Sequence, residues 1–220
     1  MKHITSPIIL IVLAAFSFQA QAIVMNWADW QSSDTNSAYG KIDVNGTLVD
    51  VTVSNTNPLN FVQTGSGTNY WTGSAYTQGV VDNNPSASEL VSFNQGGTVT
   101  ITFSQAISNP FIALTSWNRN TVDFGESISF DSNGSGYWGS GTPIINGAGT
   151  GFYGSGEVHG LLTLSDDSRT SITFTHTGEN WHGMTIGVEA LAAVPEPSTL
   201  ALMIAGLAGI GFSRRSKQKV

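Results

Sequence analysis

Glu157 and His159 stand two apart in a segment that reads as strand, so their side chains would share a face, and His176, Glu179 and His182 follow further along. Such a set could ligate zinc if the fold gathered it. The spacings match no compact zinc motif and there is no HExxH helix, so no metal enzyme is expected. Glu157 and Glu179 are also nominees for the paired carboxylates of glycoside hydrolysis, which need two carboxyl groups about 5–10 Å apart across a cleft. No Gly-x-Ser-x-Gly elbow or P-loop occurs, and the glycines lack the strand-to-helix context of a phosphate cradle. No catalytic residue is therefore assigned, and a non-enzymatic protein is expected.

Aromatic residues offer a different chemistry. Tyr70, Trp71, Tyr137, Trp138 and Tyr153 lie in polar or glycine-rich surroundings, where a planar ring can cover the apolar face of a sugar while nearby polar groups bond its hydroxyls. Trp117 and Trp181 border apolar strands and read as core residues or sheet caps. Asp131-Ser132-Asn133-Gly134 begins like a calcium loop, but Thr142 holds the place where an EF-hand needs its bidentate Glu. An Asn-Gly turn after a strand ending at Phe130 accounts for it more simply. Structural calcium at Asp131 and Asn133 rests on ligand type alone, and no other cofactor is expected.

The elements that must hold these residues are strands. Thr47–Val53, Thr98–Phe103, Ser127–Phe130 and Thr170–Thr175 alternate polar with apolar or β-branched residues, the period of a strand with one buried face. Phe111–Trp117 is more continuously apolar, as a central strand is, and Met184–Leu191 alternates again. Ser165–Arg169 reads as a hairpin turn between Leu161–Leu164 and Ile172–Phe174. The segments 64–85 and 131–160, rich in Gly, Ser and aromatics, read as decorated loops or short strands. With no amphipathic helix in the interior, the expected fold is all-β: an antiparallel β-sandwich of jelly-roll type over residues 23–193.

The 220 residues contain no cysteine, so thiol chemistry is excluded and the core must hold the fold without disulfides. Lys41, Arg119 and Arg169 are the basic residues of this interior, against carboxylates from Asp29 to Glu189. So acidic a body has no basic patch for nucleic acid. Before it, Lys2 and His3 precede an apolar run from Ile8 to Phe18 and then Ala20-Gln21-Ala22, the pattern of a secretory signal over residues 1–22, with signal peptidase as its partner.

After the body come Pro195 and Pro197, which stop a strand and favour an extended, accessible linker. Ser198 suits a helix cap, and a helix over 198–213 would be a marginal membrane span. Arg214, Arg215, Lys217 and Lys219 then place the C-terminus on the cytoplasmic side. Val194-Pro195-Glu196-Pro197-Ser198-Thr199, the glycine-containing apolar run and Arg214-Arg215 together closely resemble the PEP-CTERM sorting signal of Gram-negative bacteria. The resemblance, confined to residues 194–220, implies recognition by an exosortase, a membrane-embedded protease-transpeptidase, with cutting near Pro195-Glu196-Pro197. It implies export across the inner membrane, transient anchoring by the C-terminal helix, and delivery to the cell surface or extracellular matrix, where members of this group often accompany exopolysaccharide. The expectation is an exported surface protein that contacts exopolysaccharide through loop aromatics, the alternatives being a purely structural or adhesive protein or a glycan-active hydrolase. Mass spectrometry of protein taken from the cell surface is expected to find a C-terminus near Pro195-Glu196-Pro197; retention of Arg214 and Arg215 would exclude processing.

Overall fold

The computed structural model describes residues 22–164 and 168–190, and the expected signal peptide up to residue 21, the expected transmembrane helix at 198–213 and the sorting motif lie outside the described residues. Within them the chain forms fifteen strands: β1 Met25–Trp27, β2 Asp29–Ser33, β3 Ser37–Val44, β4 Thr47–Asn55, β5 Phe61–Thr64, β6 Glu89–Phe93, β7 Gly97–Ile107, β8 Phe111–Trp117, β9 Thr121–Asp123, β10 Ile128–Asn133, β11 Gly141–Ile145, β12 Gly151–Gly156, β13 Val158–Leu164, β14 Arg169–His176 and β15 His182–Glu189. No helix among the described residues is long and apolar enough to cross a membrane.

Two antiparallel sheets face each other. One runs β10-β13-β8-β15-β6-β5 with β1 also on β15, and the other runs β11-β12-β9-β14-β7-β4-β3-β2. From β6 onward the chain alternates between them except at the β11–β12 hairpin, giving β6-β15-β8-β13 opposite β7-β14-β9-β12, the strand order of a jelly roll. Alternation in sequence becomes alternation in burial where one face meets solvent. Val49, Val51 and Val53 of β4, Val99, Ile101 and Phe103 of β7, and Ile172 and Phe174 of β14 point into the shared core. The β3–β4 hairpin turns on Asn45 and Gly46, whose φ values of 56° and 82° suit the tight turn that matches strand twist.

Two sequence expectations change here. The alternation in Met184–Leu191 suggests one buried face, yet every residue of β15 up to Val188 is buried. The reason is a second apolar layer. Residues 65–88, devoid of regular strands, fold back over the outer face of the seven-stranded sheet and seat Trp71, Ala75, Tyr76 and Val81 against Leu90, Phe111, Ala113 and Leu161. β15 makes room for this layer with small residues: a Cβ on Gly187 would stand 2.6 Å from the Trp27 ring. The second change concerns the hairpin expected around Ser165–Arg169. β13 and β14 belong to different sheets, so that connection crosses the sandwich, and each strand finds its partners elsewhere because jelly-roll order alternates sheets.

Trp30 joins the two sheets. It is 1% exposed, donates its backbone N–H to Glu89 Oε2 at 2.7 Å, and donates its indole N–H to Thr185 Oγ1 on β15 at 3.1 Å. Burial raises the Glu89 carboxyl above its usual range. Trp30→Ala is expected to lower stability by about 3–5 kcal/mol, the range for removing a buried tryptophan, measured by urea unfolding.

Candidate functional site

The loops β6–β7, β8–β9, β12–β13 and β14–β15 gather at one end of the sandwich, as jelly-roll order requires. There β8 carries a bulge. Val158 pairs with Trp117 and Gly160 with Leu114, so Thr115 and Ser116 together oppose His159. Ser116 takes a φ of 59°, a left-handed conformation rare for a residue with a side chain. Bulges of this kind re-aim side chains. This one turns the Ser116 hydroxyl to donate to Glu157 Oε2.

Asn118 joins the two carboxylates that the sequence nominated. Its side-chain Nδ2 donates to Glu157 Oε1 at 2.9 Å, and its backbone N–H donates to Glu179 Oε1 at 3.1 Å. These two bonds and the span of one asparagine keep the accepting oxygens within about 11 Å of each other. The loop itself is tied down by Asn120 Nδ2 on Thr177 O at 2.6 Å and by Arg119 N on Gly154 O at 2.9 Å. Burial pushes the Glu179 carboxyl up to about 7, with the Glu157 charge adding to the rise and the Asn118 N–H opposing it. Glu179 therefore takes up a proton as the pH falls through about 7.

Next to this pair lies a cluster of rings. Tyr70 sits 5.0 Å from Tyr137 and 4.8 Å from Trp181, centroid to centroid; Tyr137 stands 4.9 Å from Trp138, and Phe61 packs 6.3 Å from Trp181. Trp181 follows Glu179 by two residues. Tyr137 and Trp138 form the tip of the β10–β11 connection, closed by paired Gly136 and Gly139, and this tip rests on β13. A Cβ on Gly136 would lie 2.4 Å from the His159 ring, and one on Gly141 would lie 2.6 Å from the Glu157 nitrogen. Glycine at these two places lets the aromatic tip lie against the Glu157 backbone and the His159 ring. Trp138 is 55% exposed and Tyr137 42%.

The five aromatic candidates thus divide. Tyr70, Tyr137 and Trp138 come together. Tyr153, exposed on β12 opposite Ile144 and Thr121, lies outside this cluster. Trp71 is a correction: at 1% exposure it is a plug of the second core, donating its indole N–H to Glu89 O at 3.0 Å and meeting Tyr76 edge-on, so it offers no face to a sugar. Trp117 is core, as its apolar strand suggested, whereas Trp181 is half-buried and forms part of the ring cluster. Asp131 and Asn133 belong to β10, which continues through a bulge past Phe130 instead of turning there. Asp131 accepts from the Val80 N–H at 3.1 Å, and Asn133 donates to His159 O at 2.9 Å, so each is engaged with the backbone. Ser116 and Asn118 carried no signal in the sequence, because only the bulge and the fold give them their role.

His159, His176 and His182 are interior. His176 Nδ1 and His182 Nε2 share a hydrogen bond of 2.9 Å among Phe93, Trp117 and Phe174. His159 accepts at Nδ1 from the Ser116 N–H at 3.3 Å. Among the described residues no group of three His, Cys, Asp or Glu side chains is placed to hold a metal ion. Two open cavities of about 390 and 400 Å³ lie elsewhere, one beside Asn26, Lys41 and Asn83, the other beside Asn45, Asn109 and Glu189.

The body is thus a two-sheet antiparallel β protein with an aromatic and carboxyl cluster at one pole. Residues 193–216 match the family model of the PEP-CTERM protein-sorting motif. The chain carries this motif, which indicates exosortase-dependent sorting to the cell surface. No curated protein and no solved structure matches the chain.

Burial holds His159 and His176 down to about 4 and His182 well below its usual value. These rings are neutral in the folded state and protonate in the unfolded chain below about 6.5, so their stabilisation is present above that pH and lost as it falls. Glu179 acts oppositely, since its raised value contributes below its unfolded pKa and is lost as pH rises through about 7. Glu89, also raised by burial, acts in the same sense as Glu179, and three histidines outweigh these two carboxyl groups between about pH 4.5 and 6.5. Unfolding free energies from urea titrations are therefore expected to fall across this window on acidification, by about 1.4 kcal/mol per pH unit for each net proton taken up on unfolding, and less steeply in His176→Phe.

Proposed function

We propose that the exported body is a non-enzymatic surface or matrix protein that holds exopolysaccharide on the ring cluster of Tyr70, Tyr137, Trp138 and Trp181. One observation carries this reading: two of these rings are exposed while touching half-buried neighbours that fix their orientation. A ring held in place loses little freedom when a sugar stacks on it. Glu157, Asn118 and Glu179 stand beside the rings to bond hydroxyls, the division of labour usual in sugar sites.

In this reading the sorting motif supplies the delivery. An exosortase cuts near Pro195-Glu196-Pro197 after the helix at 198–213 has held the chain in the membrane. The convergence of Glu157 and Glu179 gives the hydrolase alternative its best support. The open, protruding position of Trp138 favours holding a polymer over cleaving it, for which a cleft would be needed.

A polysaccharide-binding screen is expected to find a ligand whose affinity drops about tenfold or more in Trp138→Ala, tenfold being 1.4 kcal/mol. Trp71→Ala serves as the contrast, lowering stability and not touching the ligand directly. Binding unchanged by Trp138→Ala and Tyr137→Ala would overturn the proposal.

A further inference from the structure

We infer that Glu157 and Glu179, joined through Asn118, form the polar wall of the ring site and restrict it to uncharged polysaccharide. The inference rests on the sugar-binding reading of the rings. Glu157 is held by Ser116 and Asn118 in a form that accepts hydrogen bonds, which is what a carboxylate does. Glu179 is 17% exposed at its side chain and accepts from the Asn118 N–H, so the two carboxyl groups face one small region from the β12–β13 turn and the β14–β15 loop.

A second observation points into the same place. His182 is fully buried, and its Nδ1 has no hydrogen-bond partner while standing 3.9 Å from Glu179 Oε1. This buried atom is closed to solvent, so it can be satisfied only by a shift of the Glu179 carboxyl group, whose exposed part is what an incoming hydroxyl meets. The ring cluster, joined to Glu179 through Trp181 two residues on, supplies the apolar surface, so a sugar with an apolar face and hydroxyl edges can use both.

Charge then selects among sugars. Two carboxyl groups and no adjacent ion pair give this region a negative field that a uronate or sulfate ester would have to enter. Arg119, exposed one residue beyond Asn118, is the basic side chain of the β8–β9 loop, while Lys41 and Arg169 are engaged with Asp50 and Glu126 elsewhere in the fold. An uncharged polymer avoids the repulsion and uses both carboxyl groups as hydrogen-bond partners. Glu179, when protonated, also donates, which a sugar hydroxyl can accept. Facing Glu179 are Glu157, Asn118 and His182, with His176 behind and bonded to His182.

The test titrates the full chain, kept in a detergent without a sugar headgroup, with uncharged glucans, galactans and mannans and with polygalacturonate. At least one uncharged polymer is expected to bind about tenfold or more tighter than polygalacturonate. Its affinity is expected to fall severalfold between about pH 6 and about pH 8.5 as Glu179 loses its proton, and Glu179→Gln, whose amide still donates and accepts, is expected to bind without that fall. Glu157→Gln is the second variant, expected to narrow the preference against polygalacturonate, and near-ultraviolet circular dichroism checks that each variant is folded. Equal or tighter binding of polygalacturonate, or a pH response that persists in Glu179→Gln, overturns the inference. So does unchanged affinity and preference in both Gln variants while Trp138→Ala abolishes binding, an outcome that leaves the sugar-binding reading standing. No binding of any polymer by the unaltered chain overturns both.

Discussion

All seven residues of β8 are buried, and so are seven of the eight in β15. Strands covered on both faces cannot be held by one sheet-to-sheet core. They require a second apolar layer, and in a protein without cysteine that layer must come from packing alone. Residues 65–88 provide it, with Trp71 and Tyr76 pressed into the outer face of the sheet. Because β8 and β15 also deliver Ser116, Trp117 and His182 to the site end, the layer that covers their outer face helps fix the geometry at that end.

The same constraint explains the buried histidines. His176 and His182 bond to each other in an apolar surround that leaves their outer nitrogens without partners. Such groups persist when the rest of the fold places them, and their cost is of the order of 1–3 kcal/mol for each unsatisfied atom. Strain is stored nearby too: Ser116 and Arg119 both have a φ of 59° without being glycine. Concentration of unusual backbone and unpaired polar atoms around one loop is the pattern of a segment shaped for more than stability.

Much of the fold was legible in the sequence. Thr47–Val53 and Thr170–Thr175 alternate with period two because one face of each meets solvent, and that pattern carries directly into β4 and β14. β15 was misread as one-sided because Thr185 and Gly187 look like solvent positions; Trp30 and Trp27 lie on them. The polar turn at Ser165–Arg169 carries no record of which sheet follows, so a crossing read as a hairpin. Of the site, the carboxyl residues and three of its rings were recognisable as residue types. Asn118 and Trp181 were not recognised, since their roles follow from a bulge and from jelly-roll strand order, which no local spacing encodes. Trp71 shows the converse error: polar neighbours in sequence say little about whether a ring faces water.

β1 enters and β15 leaves side by side, Met25 opposite Glu189, and Ala190 N bonds Val24 O. The site is at the other extremity of β15, where His182 adjoins Trp181 and Glu179. Eight residues of strand separate the two, about 25 Å along the sandwich. The molecule is therefore polar in the geometric sense: the connection to the sorting segment leaves from one pole, and the exposed rings crown the other. A body tethered through its C-terminal segment would present Trp138 outward, away from the surface that carries it, and many such bodies side by side would expose a lawn of aromatic tips.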